Sequence, residues 1–248
     1  VVLSGHTHRG YRCLIGDRPV IQGASFGRLV SVIDLAIDRS SGDVVRHATQ
    51  ARNLPVPNGL SNDGRMQAIY PSLAPDPVVA AIVEHYRQRA APLANRPVGR
   101  IAEGFDRTPT AGGDHALGRL IADAQLAATR DQGAVVAFTN PGGIRAELRP
   151  RPDSGAVNFG DVYSIQPFGN SLVTISLSGA QLKSLLEQQW SAGNAERPRI
   201  LQPSAGFSYA WDPARPAGER VVAGSIRLDG RAIDADATYR VTVNDFLV

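Results

Sequence analysis

The chain has 248 residues, 43% hydrophobic and 20% charged, which is typical of a folded protein and excludes general disorder. The formal net charge is only +3 and basic residues do not cluster with aromatic residues, so neither a nucleic-acid polymer nor a membrane surface is the expected partner. Cys13 is the only cysteine, which excludes an internal disulfide, and no stretch reaches the roughly 20 apolar residues that cross a bilayer.

The first fifty residues are predicted to be rich in β-strands. Residues 1–3 read as the end of a buried strand, and the sequence SGHTHRG follows at residues 4–10. The alternation of residues 28–38 predicts a strand, and residues 43–49 are expected to return as its hairpin partner after the SSGD turn. Because the chain opens inside a strand-like segment, we expect its original N-terminus to be missing.

A connection between two domains is predicted over residues 54–77, where prolines at positions 55, 57, 71 and 75 are interspersed with the segment NGLSNDG. A helix is then predicted over residues 76–91. Asp76 is expected to cap this helix, Pro77 suits its first turn, and Pro92 is expected to end it. The domain junction is therefore placed here.

From about Pro97 onward the pattern predicts a second, α/β unit. Asp114 is expected to cap a helix, and a strand over residues 134–140 follows the turn at Gly133. The apolar face of that helix is expected to consist of Leu117, Leu120, Ile121 and Ala124.

Three local signals predict the remaining elements. Ser178 and Gln181 form the pattern of a capping box, which predicts a helix in SGAQLKSLLEQQW. Asp229 and Gly230 predict a tight hairpin. The last residues, YRVTVNDFLV, predict a strand without a terminal cap, so we expect the C-terminus to be truncated as well.

Two histidines separated by one residue, His6 and His8, lie in the glycine-bounded GHTH loop after the first predicted strand. On an extended backbone their imidazoles point in the same general direction, and neutral imidazole nitrogens bind borderline metals. An ordinary polar loop is the alternative interpretation of the spacing alone. The position at the end of a strand favours a ligand-presenting loop.

The segment TNPGGIRAEL, residues 139–148, contains a second candidate site. Asn140 and Pro141 are followed by Gly142 and Gly143, which allow a tight turn and the close approach of a ligand. Arg145 can form two parallel hydrogen bonds with a phosphate or carboxylate group. A structural turn with a surface arginine is the alternative.

Phe168 lies between Pro167 and Gly169, so it cannot belong to a regular element on both sides. Its ring is either a plug that enters the core or an exposed stacking surface for a flat ring. Asn170 either hydrogen-bonds the same ligand or begins the next strand.

The order of these segments resembles the 5'-nucleotidase family, the bifunctional metallophosphatase/5'-nucleotidases that include periplasmic UDP-sugar hydrolases and 2',3'-cyclic nucleotide phosphodiesterases. The shared segments, in order along nearly the whole chain, are GHTH, LGRLIADA, NPGGIR, QPFGN, LSGAQLKSLLE and YRVTVNDF. The resemblance implies a mixed α/β (α+β) fold with three parts. Residues 1–54 would end a calcineurin-like metallophosphoesterase β-sandwich, residues 55–95 would form a linker with the helix 76–91, and residues 96–248 would form most of the C-terminal nucleotide-binding domain.

The resemblance also implies ligand contacts. His6 and His8 match the family's GHxH pair, whose members bind two divalent metal ions such as zinc or manganese, which activate a hydroxide to attack phosphorus. Phe168 matches one of two base-stacking rings and Asn170 the polar residue beside it. The positions that match contacts to the phosphate and ribose side of the nucleotide are Asn140, Gly142, Gly143 and Arg145.

The sequence departs from the family pattern at three places. The remaining metal ligands lie upstream of GHxH in the family, so no catalytic residue is assigned within this chain, and we expect the chain alone to be inactive. An arginine of the family aligns near Ala111, where only Arg107 lies close. The second stacking ring is expected in a loop that follows Val248.

The resemblance implies a metal-dependent phosphoric monoester hydrolase that acts on nucleotides and is periplasmic, attached to the cell wall or secreted. A UDP-sugar hydrolase and a 2',3'-cyclic nucleotide phosphodiesterase are alternatives within the family. An alternative of another class is a surface module that binds nucleotides without hydrolysing them, which the departure at Ala111 favours and the intact GHTH segment disfavours.

Overall fold

The computed structural model describes residues 1–56, 73–191 and 198–248. Contacts divide the chain into two compact units, Val1–His85 and Tyr86–Val248. Most of the predicted connection, residues 57–72, lies outside the described residues. In the described parts of the chain, no helix combines the length and the apolarity that crossing a membrane requires.

The first unit consists of short strands around a small core that contains the fully buried Ile21. Its strands are β1 (Val2–Leu3), β2 (Gly10–Ile15), β3 (Arg18–Gly23), β4 (Leu29–Asp34) and β5 (Gln50–Pro55). β3 pairs in parallel with β1 and antiparallel with β2, while β4 and β5 form a separate antiparallel pair. β1 is exposed in this unit, so the prediction that residues 1–3 are buried is wrong.

The predicted hairpin partner of the strand in residues 28–38 is also wrong. β4 pairs with β5, in a register that places Val32 opposite Arg52. Residues 43–49 pair with the end of this segment through the bridge from Val44 to Ile37 and the hydrogen bond from the amide of Val45 to the carbonyl of Ala36 at 2.8 Å, and then form a 3-10 turn at Arg46–Ala48. Because this turn interrupts the returning segment, the partner of β4 begins one segment later than the sequence pattern predicts.

Helix α1 spans Pro77–Ala94 and begins as predicted. The carboxylate of Asp76 accepts hydrogen bonds from the backbone N–H groups of the second and third helical residues, at 2.9 and 3.0 Å. The predicted end at Pro92 is wrong, because Pro92 lies inside the helix. Only the last turn is affected by the missing N–H group, and Asn95 still donates to the carbonyl of Ala91 at 2.9 Å.

The second unit is built on a four-stranded sheet with the order β10-β7-β14-β9. β14 is parallel to β7 and antiparallel to β9. Its helices are α2 (Ala116–Thr129), α3 (Phe159–Ile165) and α4 (Gly179–Glu187). The described strands of this unit are β6 (Pro97–Arg100), β7 (Val136–Thr139), β8 (Ala156–Asn158), β9 (Leu172–Ser178), β10 (Gln202–Pro203), β11 (Phe207–Ser208), β12 (Arg227–Leu228), β13 (Arg231–Ala232) and β14 (Thr238–Asn244).

The core of the second unit lies between this sheet and α4. Trp190, Phe138 and Leu186 are fully buried there, and the ring of Phe138 meets that of Phe207 edge to face at 5.0 Å. Offset and edge-to-face ring pairs add to the free energy gained by burying aromatic surface. The core therefore fixes β7 and β14 as rigid elements.

Two local predictions in this unit are confirmed. The amide of Gln181 donates to the hydroxyl of Ser178 at 3.1 Å, and the amide of Ser178 donates to the side chain of Gln181 at 2.8 Å, which completes the capping box. Asp229 and Gly230 both have positive φ, 49° and 77°, as a two-residue type I′ hairpin requires.

Helix α2 packs closely against the sheet at Gly118, which has no side chain. A Cβ atom at Gly118 would lie 2.8 Å from the Cβ of Gln202 and closer still to its Cγ and Oε1 atoms, and Gln202 is fully buried on β10. In an open helical position alanine stabilises relative to glycine. Here we expect Gly118→Ala to lower the free energy of unfolding by about 1–3 kcal/mol, because the extra carbon overpacks the contact.

Urea unfolding measures this change, with Gly99→Ala as the control. No atom lies within 4 Å of a Cβ built at Gly99. A Gly118→Ala variant as stable as the wild type would show that α2 can move away from β10.

Candidate functional site

Three strand ends meet at one edge of the central sheet in the second unit. Because β7 and β14 are parallel neighbours, Asn140 follows the end of β7 beside Asn244, the last residue of β14. The Nδ2 atom of Asn244 donates to the Oδ1 atom of Asn140 at 3.1 Å. Leu172, the first residue of β9, pairs with Asn244, so the segment before β9 reaches the same edge. Ligands typically bind at the carboxyl ends of parallel strands.

The turn after β7 is a 3-10 turn over Pro141–Gly143. A Cβ atom at Gly143 would lie 3.2 Å from the Oδ1 atom of Asn140, whereas one at Gly142 would come no closer than 3.6 Å to the same side chain. Gly143 therefore leaves room for the amide of Asn140 to fold back over the turn.

Arg145 is held by its backbone and free at its tip. Its amide donates to the carbonyl of Ile165 at 2.7 Å, and its carbonyl accepts from Nη1 of Arg107 at 3.3 Å. The guanidinium carbon lies 5.3 Å from the centroid of the Phe168 ring. Among the described residues no carboxylate or other side chain accepts a hydrogen bond from this guanidinium, so its donors are available to a ligand.

Phe168 is not a core plug, because 44% of its surface is exposed. Its amide donates to the carbonyl of Gln166 at 2.8 Å, which bends the segment so that the ring stands out at the edge of the sheet. Phe168 and Asn170 line the same cavity, whose volume is about 440 Å³. The structure thus brings Asn140, Gly143, Phe168 and Asn170 together and places Arg145 against the ring.

The outer wall of this cavity comes from α2. The predicted apolar face, Leu117, Leu120, Ile121 and Ala124, lines the cavity, and Leu117 is also buried in the core. The predicted apolar face therefore forms a wall of the cavity, and the helix has a second, buried side. The side that packs on the sheet carries Leu117, Gly118, Ala122, Gln125, Leu126 and Thr129.

Two buried amides also border the cavity. Gln125 and Asn244 line it, and the side-chain oxygen of each is buried without a hydrogen-bond partner in the described part of the chain. Buried polar atoms are almost always paired with protein, water or a ligand. The cavity is therefore apolar in its wall and has acceptor groups at its inner end.

Phe246, which the sequence analysis did not single out, follows a residue that is bonded to the segment carrying Phe168. Its ring is 74% exposed. The preceding residue, Asp245, donates its amide to the carbonyl of Ser171 at 2.9 Å and accepts from the amide of Ser171 at 3.1 Å. Phe246 is thereby attached to the loop that carries Phe168. The sequence signal was an aromatic residue two positions after the end of a strand, in the segment NDF.

The loop before α2 is fixed by buried polar groups. The predicted cap was Asp114, but the observed cap is His115, whose Nδ1 atom accepts from the amide of Gly118 at 3.0 Å. Asp114 does not cap because its carboxylate is bonded to the hydroxyl of Thr110 and to the guanidinium of Arg119. Burial alone would raise the pKa of Asp114, but these bonds and the charge of Arg119 lower it overall.

His115 is buried and uncharged in this arrangement. Burial lowers its pKa, and the nearby charge of Arg107 lowers it further, against the opposing effect of Asp114 and Asp106. A neutral imidazole is required for the cap, because Nδ1 must accept the hydrogen bond.

The GHTH loop of the first unit presents both histidines to solvent. His6 and His8 have positive φ, 70° and 59°, an uncommon conformation that is enriched for histidine. Thr7 between them donates its hydroxyl to Oε1 of Gln22 at 3.0 Å, and the ring of His8 meets that of Phe26 edge to face at 5.7 Å. Their nitrogens suit a zinc or manganese site, although the described residues hold no group of three or more His, Cys, Asp or Glu side chains that could bind a metal.

Comparisons with known proteins agree with this architecture. The family model of the 5'-nucleotidase C-terminal domain matches residues 97–248. Endonuclease YhcR of Bacillus subtilis is 29% identical over all of this chain, which covers 18% of that protein. Cell wall protein Lmo0130 of Listeria monocytogenes is 27% identical over all of this chain, which covers 31% of that protein.

A solved structure confirms the mixed α/β fold expected from the sequence. The 5'-nucleotidase precursor from Thermus thermophilus superposes with a TM-score of 0.64 at 26% identity, covering 99% of this chain and 48% of that one. The chain therefore spans less than half the length of each of these three proteins.

The cap at His115 predicts a specific pH dependence of stability. Because the folded pKa is lowered, the unfolded chain binds more protons once the pH falls below about 7, and the contribution of His115 to stability is lost as the pH falls towards 5. Asn caps helices well and does not titrate in this range. We therefore expect His115→Asn to reduce the loss of unfolding free energy between pH 7.5 and pH 5.

Urea unfolding at both pH values checks this expectation, and His47→Asn, at an exposed histidine of the first unit, serves as the control. The interpretation is wrong if His115→Asn loses as much stability as the wild type over this interval.

Proposed function

The chain belongs to the 5'-nucleotidase family through its C-terminal domain, and on this premise we propose that the full-length protein hydrolyses phosphate esters of nucleotides. Residues 97–248 bind the nucleotide in this proposal. The main support for nucleotide binding is the contact between Arg145 and Phe168 at the sheet edge. It places a guanidinium whose donors are not hydrogen-bonded next to an exposed ring. A phosphate and a base are the complementary groups.

Arg145 and Arg107 bind the phosphate. The guanidinium of Arg107 donates to the backbone carbonyl of Arg145 at 3.3 Å, which places the charge of Arg107 beside the segment that carries Arg145. A phosphate dianion accepts hydrogen bonds from both, and charge-assisted bonds of this kind are the strong ones. Arg107 thus takes the place of the cation that the sequence lacks near Ala111. Asn140 and the turn at Gly142 and Gly143 contact the ribose side.

Phe168 stacks on the base, and Asn170 hydrogen-bonds it from the same segment. Phe246, next to Asp245, which is bonded to Ser171 of this segment, supplies a further aromatic surface. Because every base has an aromatic face, stacking tolerates many bases, and we expect a broad choice of nucleotides. The acceptor groups of Gln125 and Asn244 suit a ligand edge that carries N–H donors.

His6 and His8 supply two of the ligands of a pair of divalent metal ions in the full-length protein. Both imidazoles are exposed and neutral nitrogens are the atoms that such ions prefer. When bound, two divalent ions provide an activated hydroxide and polarise the phosphoryl oxygens. The residues of this chain present the nitrogens and, in the C-terminal domain, hold the phosphate.

Other substrates remain as alternatives with specific support. UDP-sugars and 2',3'-cyclic nucleotides share the phosphate, ribose and base that the site accepts. The name of Endonuclease YhcR supports a nucleic-acid polymer, whereas the small net charge of this chain favours a free nucleotide. A binding module without turnover is the alternative from another class. Chromatography of the products separates these candidates: AMP gives adenosine and phosphate, UDP-glucose gives UMP and glucose 1-phosphate, 2',3'-cyclic AMP gives an adenosine monophosphate, and single-stranded DNA gives shorter strands.

The protein acts outside the cytoplasm in this proposal, in the periplasm, at the cell wall or as a secreted enzyme. The similarity to a cell wall protein supports this location. Detection of the protein in the cell-wall and culture-medium fractions of the source cells tests it.

In the full-length protein, Arg145→Ala is expected to lower kcat/KM for AMP roughly 10- to 150-fold, since a charge-assisted hydrogen bond is worth about 1.5–3 kcal/mol. Arg107→Ala is expected to have a smaller effect in the same direction. Arg149→Ala is the matched control, because Arg149 lies in the same segment, is exposed and already pairs with Glu147. Unchanged kinetics for Arg145→Ala would refute the assignment of the phosphate site.

His6→Ala in the full-length protein is expected to reduce bound metal and turnover together, because one ligand of the metal pair is removed. Metal content by mass spectrometry and AMP hydrolysis are the two measurements, with His47→Ala as the control. Full metal content in His6→Ala would show that the GHTH segment is an ordinary loop.

A further inference from the structure

The Arg145 side chain has one contact that orients it. Its guanidinium lies over the ring of Phe168, with 5.3 Å from the guanidinium carbon to the ring centroid. Both side chains are exposed, and no acidic residue of the described chain pairs with the guanidinium. A long arginine side chain in this situation samples many rotamers unless a neighbour restrains it.

The backbone around this pair is anchored on one short segment. The amide of Arg145 donates to the carbonyl of Ile165, the last residue of α3, at 2.7 Å. Three residues later, the amide of Phe168 donates to the carbonyl of Gln166 at 2.8 Å. The starting points of the two side chains are therefore held at a fixed separation, so the ring provides a constant surface for the guanidinium.

An aromatic ring restrains a guanidinium without consuming its hydrogen-bonding capacity. The five N–H donors of arginine need lone-pair acceptors, and the face of a ring attracts the cation mainly through its quadrupole. A carboxylate at the same place would compete with a phosphate for the donors. The ring thus pre-orients Arg145 and leaves it open to an anion.

We propose that Phe168 is a positioning residue for Arg145, so that the affinity for a phosphate group depends on this ring even when the ligand has no base. The inference rests on the proposed function, in which Arg145 binds the phosphate of a nucleotide. The base of a nucleotide stacks on the face of Phe168 that Arg145 leaves free. One ring then links the two parts of the site.

Ribose 5-phosphate separates this role from stacking, because it carries a phosphate and no base. Its binding to the whole 248-residue chain is measured by calorimetric titration. EDTA in the buffer removes divalent metal ions, so the phosphate cannot bind through them. We expect Phe168→Leu to weaken the binding of ribose 5-phosphate roughly two- to five-fold, the range typical of an exposed cation–π contact, and Phe168→Tyr to retain it. In an Arg145→Ala background, Phe168→Leu is expected to have no further effect.

Equal affinities of the wild type and Phe168→Leu for ribose 5-phosphate, with a loss of adenosine binding only, would overturn the inference and leave the proposed function intact.

Adenosine also tests which face of the Phe168 ring the base uses. Arg145→Ala should leave adenosine affinity unchanged or reduced, and a tighter complex would show that the base and the guanidinium compete for one face, against the proposal.

The contact can be measured without any ligand. In NMR spectra of the free chain, the Arg145 side-chain protons should be shifted upfield by the ring current of Phe168. The shift should disappear in Phe168→Leu and persist in Phe168→Tyr, while unchanged backbone spectra show that both variants are folded. Absence of the shift in the wild type would overturn the inference. A wild type that shows the shift but binds neither ribose 5-phosphate nor AMP would instead count against the proposed function.

Discussion

The parallel pairing of β7 with β14 is the constraint on which the candidate site depends. Because both strands end at the same edge of the sheet, Asn140 and Asn244 lie side by side although 104 positions separate them in the chain. The antiparallel pairing of β14 with β9 then brings the Phe168 segment to this edge. A shift of this register by one residue would turn every side chain of β14 to the opposite face of the sheet and separate the two asparagines.

Helix α2 connects the sheet to the outer wall of the site. Its inner side is fixed to β10, where Gln202 packs against Gly118 and accepts from the amide of His115 at 2.8 Å. Its outer side lines the cavity with Leu120 and Ile121. Since the loop that carries Arg107 leads into this helix, the cavity wall and this arginine, which is proposed to bind phosphate, share the same support. Loss of the cap at His115 would therefore also displace Arg107 and the cavity wall.

The two units contribute different chemistry to the proposed reaction. The first unit presents imidazole nitrogens on a strained loop, and the second presents guanidinium groups, amides and aromatic rings at a sheet edge. The proposed metal ligands and the proposed nucleotide-binding groups thus lie in different units of the chain. Within the second unit, Arg145 depends on backbone bonds and one ring for its orientation, which leaves its donors available for an anion.

The sequence by itself determined the elements that are set by local chemistry. The capping box of Ser178 and Gln181 and the hairpin at Asp229 and Gly230 follow from hydrogen bonds and dihedral angles within a few residues, and the ordered motifs identified the family. Only the tertiary structure decided the partner of β4, the two-sided role of α2, the exposure of Phe168 and the attachment of Phe246 to the same loop. Local patterns show that a surface is apolar, but they do not show which distant segment covers it, because that depends on strand pairing between residues far apart in the chain.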